Sequence, residues 1–293
     1  PTNEPIFISF QDAGEGYPFD YFANSTLGVN YPVLISHFSK NRDFVFVQTD
    51  SAWGWIDARD IKILSQNEIN LIKNSKFITI LEDKVPLFNL NNKFLLNARV
   101  GTLLMVHRYD DKYYYGEIFT KNGLENYKIS KKSASLFPAA LNDENVKKVI
   151  NSILGEPYGW GGFGYYRDCS LFTKDVMTSF GVWLGRNSKA QTVGHKSIDL
   201  SFLSSDEKLE TIKQNAIPYL ALIYMPGHIM LYSGIINGEV SVIHNVWGLG
   251  TVDNGRALIG QTAITSLKIG QYNPNIIQSN LFLNKITKLI LLD

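Results

Sequence analysis

The chain has 293 residues, long for one compact domain and enough for two or three modules. Hydrophobic residues make up 45% and charged residues 19%, a globular composition that excludes a disordered chain. The formal net charge of +1 offers no concentrated basic face for nucleic acid, and no apolar run approaches the roughly 18 residues of a spanning helix.

The first half reads as short strands. Tyr31 to Phe38 is apolar-rich, 39–43 forms a turn, Phe44 to Val47 follows, and Asp50-Ser51 turns into Trp53 to Ile56. β-Branched and aromatic residues between polar turn clusters predict a small antiparallel barrel. A fainter copy runs from Phe77 to Phe137, with strands at Val100–Tyr109 and Tyr113–Ile118 and turns at 110–112 and Lys121-Asn122-Gly123. The polar stretch Gln66 to Ser75 has helical leanings and connects the two. After Pro138 the pattern changes. Asn142 to Leu154 places Val146, Val149, Ile150 and Ile153 on one helical face. A glycine-rich loop, Tyr158-Gly159-Trp160-Gly161-Gly162, precedes a helix with Phe172, Val176 and Phe180 at i, i+4 and i+8. From Ala216 strands return at Tyr219–Met225, His228–Ile236 and Val240–Val246, which makes this part an α+β domain. The last residues, 273–293, are apolar enough to pack and carry no functional signal. The chain begins at Pro1 rather than methionine, which is read as trimming and leaves an exported origin open.

Chemistry concentrates in the second half. The single cysteine, Cys169, opens the Phe172/Val176/Phe180 helix, where unpaired N–H groups and the helix dipole favour a thiolate. A buried, inert thiol is the competing reading; the flanking Asp168 and Ser170 and the preceding glycines favour reactivity. A cysteine nucleophile needs a base, and the base needs an orienting group. Of five histidines, His37, His107 and His195 read as structural or solvated. His228 begins a strand after Pro226-Gly227, and His244 lies near the end of the next. If Asn237-Gly238 is a strict two-residue turn, the two histidines fall on opposite faces. A three-residue loop with Gly238 as a bulge instead sets His228 opposite Val246, with His244 its diagonal neighbour on the same face. The catalytic reading needs the second register. Fast alkylation by iodoacetamide, dependent on His228, is the solution counterpart.

These residues also resemble a known family. Tyr158-Gly159-Trp160-Gly161-Gly162, Asp168-Cys169-Ser170, Arg186-Asn187-Ser188-Lys189-Ala190-Gln191, Pro226-Gly227-His228 and His244-Asn245 are similar to the NlpC family, papain-like endopeptidases of bacterial peptidoglycan. The N-terminal part resembles bacterial SH3-like domains at Phe44-Val45-Phe46-Val47 and Trp53-Gly54-Trp55-Ile56-Asp57. Leu171 departs from the family, where many members have glycine. The resemblance implies two SH3-like β-barrels, 1–68 with its N-terminal extension and 75–137, ahead of a papain-like peptidase domain, 138–293. It implies hydrolysis of the bond between γ-D-glutamate and a diamino acid, usually meso-diaminopimelate, in stem peptides with a free N-terminal L-alanine. Cys169 would attack, His228 would carry the proton and His244 would orient it. Tyr158, Asp168, Ser170 and Ser188 would contact substrate; a helix N-cap is the competing role for Asp168, and the two are compatible. No cofactor or metal is called for, the partners are stem peptides or muropeptides, a monomer is expected, and the location is exported, periplasmic or at the cell envelope.

Three rival readings compete with this one. Cys169, His228 and His244 are acceptable zinc ligands, although no close-spaced ligand pair supports a metal site. A non-catalytic wall-binding protein would have little reason to keep all three residues. A papain-like amidase or acyltransferase could use the same residues on another amide.

Overall fold

The computed structural model describes residues 4–8, 16–23, 25–121 and 123–292. Asn122, in the expected 121–123 turn, lies outside them. Contacts divide the chain into two compact units: one of 1–4, Leu27–Ile153 and Asp175–Trp183, the other of 5–26, 154–174 and 184–293.

The first unit is β-rich. Leu34–Phe38, Phe44–Gln48 and Trp53–Asp57 form a three-stranded antiparallel sheet. A seven-stranded sheet runs in the order Ala134–Leu136, Lys76–Ile80, Leu103–Tyr109, Tyr113–Thr120, Gly123–Ser130, Val85–Asn89, Phe94–Ala98, with every pairing antiparallel. Its alternating inward residues, among them Ile78, Ile80, Leu87, Leu104, Ile118 and Tyr127, make one core. The helix Gln66–Asn74 starts where its sequence says it should. Ser65 accepts from the Glu68 N–H while the Glu68 carboxylate takes the Ser65 N–H, a complete capping box. The helix Asp143–Ile153 buries the four apolar residues expected of it.

The second unit holds a six-stranded antiparallel sheet in the order Lys196–Asp199, Lys288–Leu291, Ala221–Met225, His228–Ile236, Glu239–Gly250, Arg256–Ser266. The helix Cys169–Ser179 contributes its N-terminal part, through Lys174. One face of the sheet is covered by a core that includes Met230, Val242, Val246, Phe282 and Leu289. No helix among the described residues is long and apolar enough to cross a membrane.

The connection after His228–Ile236 corrects the sequence analysis. Ile236 pairs with Glu239, so Asn237-Gly238 is a two-residue turn, with both central residues at positive φ (51° and 80°). This is the geometry an Asn-Gly pair favours in a hairpin, and it prevails over the wider loop. The extra residue is absorbed further back. Tyr232 pairs with Val242 but Gly234 pairs with Ser241, leaving Ser233 as a bulge beside Gly234 at φ 109°, a conformation that favours glycine. Beyond the bulge Leu231 pairs with Ile243, and the His228 and His244 rings meet at 2.8 Å. The two histidines therefore share a face, through a bulge at Ser233 rather than at Gly238.

Candidate functional site

The N-terminus of the Cys169–Ser179 helix is held by Asp168. Its Oδ1 accepts from the Leu171 N–H at 2.7 Å, which caps the helix, and from the Ser170 hydroxyl at 2.9 Å. Cys169 is 5% exposed. Its sulfur takes hydrogen bonds from the backbone N–H groups of Ser170 and Ile229, and Ile229 is the residue after His228. His228 Nε2 and His244 Nδ1 are 2.8 Å apart, and His244 Nε2 is 3.0 Å from Thr265 Oγ1. His244 has no exposed surface and His228 retains 7%. Phe282 stacks on the His228 ring (centroids 5.6 Å, planes 18° apart) and meets the His244 ring edge-on at 5.2 Å.

Burial, reinforced by the Asp168 carboxylate, pushes the Cys169 thiol up from 9.0 to about 12; the two N–H groups and the Arg186 guanidinium pull it down less strongly. Burial pushes His228 down from 6.5 to about 4, against the attraction of the Asp168 charge. His244 is driven well below 6.5 by burial and then by His228. The resting pair is therefore a neutral thiol and a neutral imidazole. Desolvation at Cys169 thus opposes the thiolate that the helix terminus favours.

These shifts set a pH dependence of stability. Between pH 6.5 and 4 the unfolded chain binds a proton at His228 that the folded protein refuses, so stability falls as pH drops through that window. Between pH 9.0 and 12 the folded protein keeps a thiol proton that the unfolded chain releases, so stability falls as pH rises. The urea midpoint should peak between the two windows, and Cys169→Ala should lessen the alkaline fall without abolishing it, since the buried hydroxyls of Tyr31, Tyr127 and Tyr158, raised above 10.0, add their own loss at higher pH. Alkylation of the wild type should be slow at neutral pH and rise steeply with alkali. A midpoint unchanged down to about pH 4, or rapid alkylation at neutral pH, would contradict these shifts.

The other expected contacts divide. The Tyr158 hydroxyl is raised chiefly by burial and further by the Asp168 charge. Ser170 is buried within the Asp168 cluster. Ser188 is half-buried and joins none of these hydrogen bonds among the described residues. Asp168 differs most from expectation. Arg186 Nη2 lies 2.8 Å from its Oδ2 and Nη1 3.2 Å from its Oδ1, and Nη1 also reaches Ser170 Oγ at 3.2 Å. The carboxylate that the resemblance assigns to substrate contact is thus already paired with a cation.

Several supporting residues were given no role by the sequence. Arg186 Nε donates to Ser25 Oγ at 2.9 Å. Gln191 donates to the carbonyls of Ser170 and Gly185 and accepts from Thr173, bracing the start of the cysteine helix. Phe19 packs its ring on Trp160 (5.0 Å), Trp247 (4.9 Å) and Tyr158 (6.1 Å). The same N-terminal segment explains the glycine loop: a Cβ on Gly161 would sit 2.1 Å from the Ala23 carbonyl, and one on Gly162 2.0 Å from Thr26 Oγ1. The aromatic run at 17–22 was the available signal. Phe282, within the stretch 273–293 that gave no functional signal in the sequence, packs on both histidine rings. Among the described residues no group of three or more His, Cys, Asp and Glu side chains is spaced to hold a metal ion.

Residues 155–281 match the NlpC/P60 family, residues 5–57 an SH3 domain of SH3b1 type, and residues 65–110 an SH3 domain of SH3b2 type. The fold is similar to that of an NlpC/P60 endopeptidase from Photobacterium damselae subsp. piscicida, with TM-score 0.83 and 26% identity over 99% of this chain and 70% of that one. It is also similar in fold to an NlpC/P60 family protein from Bacillus cereus, with TM-score 0.59 and 18% identity over 88% of this chain and 78% of that one. No curated protein matches the sequence.

Proposed function

We infer from this chain's membership of the NlpC/P60 family, with two bacterial SH3 domains ahead of the matched region, that it is a hydrolase of peptidoglycan acting at the cell envelope. More narrowly, it is a cysteine endopeptidase that cuts the γ-D-glutamyl–diamino acid bond of stem peptides. The observation that carries this reading is the contact of the Cys169 sulfur with the N–H of Ile229, next to a histidine that is itself hydrogen-bonded to a second histidine. The same reading assigns 1–68 and 75–137 to SH3-like regions and 138–293 to the peptidase.

With Nε2 of His228 facing His244, Nδ1 is left to serve the thiol. For Nδ1 to be a base, Nε2 must carry the proton and donate it to His244 Nδ1, and His244 Nε2 then donates to Thr265. One chain of donors thus selects both tautomers. Cys169 attacks the γ-carbonyl carbon as its proton passes to His228 Nδ1. The C–N bond breaks as His228 protonates the leaving amine, releasing the diamino acid. Water then attacks the thioester, gives a proton to His228, and the thiol is regenerated as that proton returns to sulfur. A neutral resting pair means that proton transfer accompanies the attack. Tyr158 and the N–H groups at the helix start are the donors available to the developing oxyanion.

Products from L-Ala-γ-D-Glu-meso-diaminopimelate should be L-Ala-γ-D-Glu and free diaminopimelate by mass spectrometry. Cleavage between alanine and glutamate, or none, would sink the reading; transfer to an added amine would favour the acyltransferase alternative. Stems with a free N-terminal L-alanine remain substrates in this proposal, through Asp168 and Ser170. Because Arg186 already neutralises Asp168, an arriving ammonium can only share that carboxylate. The free tripeptide should then exceed its N-acetyl form in kcat/KM by no more than about tenfold, against the hundreds-fold of an unpaired buried charge. A far larger preference would show that the carboxylate turns from Arg186 to the substrate.

A further inference from the structure

Phe282 is buried and lies one residue beyond the stretch that matches the NlpC/P60 family, so the family pattern assigns it nothing. Its ring is stacked on His228, with planes 18° apart and centroids 5.6 Å apart, and crosses the His244 ring at 77° and 5.2 Å. One side chain thus touches both members of the histidine pair. The short helix Phe282–Lys285 that carries it is pinned from three directions. The Leu283 N–H donates to the Leu267 carbonyl at 3.0 Å. The buried Lys208, on the helix Ser205–Asn215, donates from Nζ to the Asn284 carbonyl at 3.2 Å and the Leu283 carbonyl at 3.4 Å. Asn284 Nδ2 donates to the Gln278 carbonyl at 2.7 Å, and its Oδ1 accepts from the Ser205 hydroxyl at 2.9 Å. These bonds limit how far the ring can move away from His228.

The reaction puts a positive charge on that histidine. When the thiol proton passes to Nδ1, His228 becomes an imidazolium in a buried site, and burial disfavours that state, pushing the group down to about 4. The charged groups around it give little relief. The Asp168 carboxylate favours the imidazolium but is paired with Arg186. His244 and the Cys169 thiol are neutral at neutral pH. Lys208 is turned to its two carbonyls, Lys285 is exposed, and Met225, the strand partner of His228, is apolar. The face of a benzene ring carries negative partial charge and attracts a cation within about 6 Å of its centroid. We propose that Phe282 is a positioning residue for the hydrolysis: its ring face holds the plane of the His228 imidazole and stabilises the imidazolium formed when Cys169 gives up its proton. The inference rests on the peptidase reading above.

Two changes at position 282 separate the charge of the ring face from its bulk. Phe282→Leu keeps an apolar side chain, and a pentafluorinated phenylalanine keeps the packing while draining the ring face. The His228 titration is followed by nuclear magnetic resonance in the Cys169→Ala background, where no substrate is needed. At the pH that half-protonates His228 with Phe282 in place, both variants should be no more than about one-tenth protonated, a shift of about one pH unit to lower pH, as a desolvated cation–π contact gives. In the protein with its cysteine, kcat should fall about tenfold with KM unchanged, and the acid limb of kcat/KM should move to lower pH. A ring that merely fills space predicts the opposite sign, because its loss admits water and lets the titration rise toward 6.5. A titration unchanged or raised in the variants overturns the inference, and so does one lowered by Phe282→Leu but not by the fluorinated ring; hydrolysis by the wild type then leaves the peptidase reading standing. If Phe282→Leu does not fold, the fluorinated ring decides alone. The expected shift, together with no cleavage of the tripeptide by the wild type, upholds the contact and overturns the peptidase reading.

Discussion

Cys169→Ala should lower hydrolysis of the tripeptide by at least about 10⁴-fold, the scale on which removal of a covalent nucleophile acts when its partners remain. The fold should survive. The sulfur is one buried atom at a helix start whose capping bonds come from Asp168 and Leu171, not from the thiol. Its deletion leaves a void no larger than a methyl group and should cost about 1 kcal/mol. Removing the side chain also removes a group that burial holds unionised, so nothing charged is stranded. Cys169→Ser should be similarly inactive and closer still to wild-type stability. His228→Ala should match Cys169→Ala in activity, since the two act as a unit, and the double variant should lose little more. Full hydrolysis by the Cys169→Ala protein, with products verified against the wild type, would end the cysteine-peptidase reading.

Arg186→Met should be the most damaging single change outside the proposed catalytic residues. Its guanidinium makes a bidentate pair with Asp168, and both side chains are nearly buried, at 10% and 16% exposure. Removing the cation leaves a carboxylate beside the thiol with only a backbone N–H and the Ser170 hydroxyl to hold it. An orphaned buried charge of this kind costs about 3 kcal/mol, the lower end of the range because Asp168 keeps some contact with water. Activity should fall as well, for an electrostatic reason. Asp168 raises the thiol and attracts a proton to His228, while Arg186 opposes it at the thiol. Without Arg186 the acid limb of kcat/KM should move to higher pH. Adding Asp168→Asn should recover most of the lost stability, because the double variant buries no unpaired charge. If Arg186→Met alone unfolds with the wild-type midpoint, or if Asp168→Asn rescues nothing, the ion pair is not what holds this corner together.

What could be read from sequence is what short-range physics decides. The helical leanings of Gln66 to Ser75 were legible, and the structure closes that helix start with the Ser65/Glu68 box, whose cap satisfies N–H groups three residues away. Asp168 and the Phe172/Val176 spacing marked the cysteine helix for the same reason. His228–Ile236 was legible from its β-branched and aromatic residues and its bounding glycines. Even the Asn-Gly turn was readable, yet the catalytic hypothesis argued for a wider loop, and the local preference won. The shared face of the two histidines then depended on a bulge at Ser233-Gly234, which no pattern announced because glycine in a strand has many causes. Tertiary structure alone decided the rest. Arg186 meets Asp168 across 18 positions, and Phe282 reaches His228 from the far end of the chain. Neither contact has a period or a motif, because it is made by packing rather than by neighbours along the backbone. Burial likewise cannot be read from the residues next to Cys169. A helix start marked the thiol as ionisable, and the protein closed over it and made it neutral.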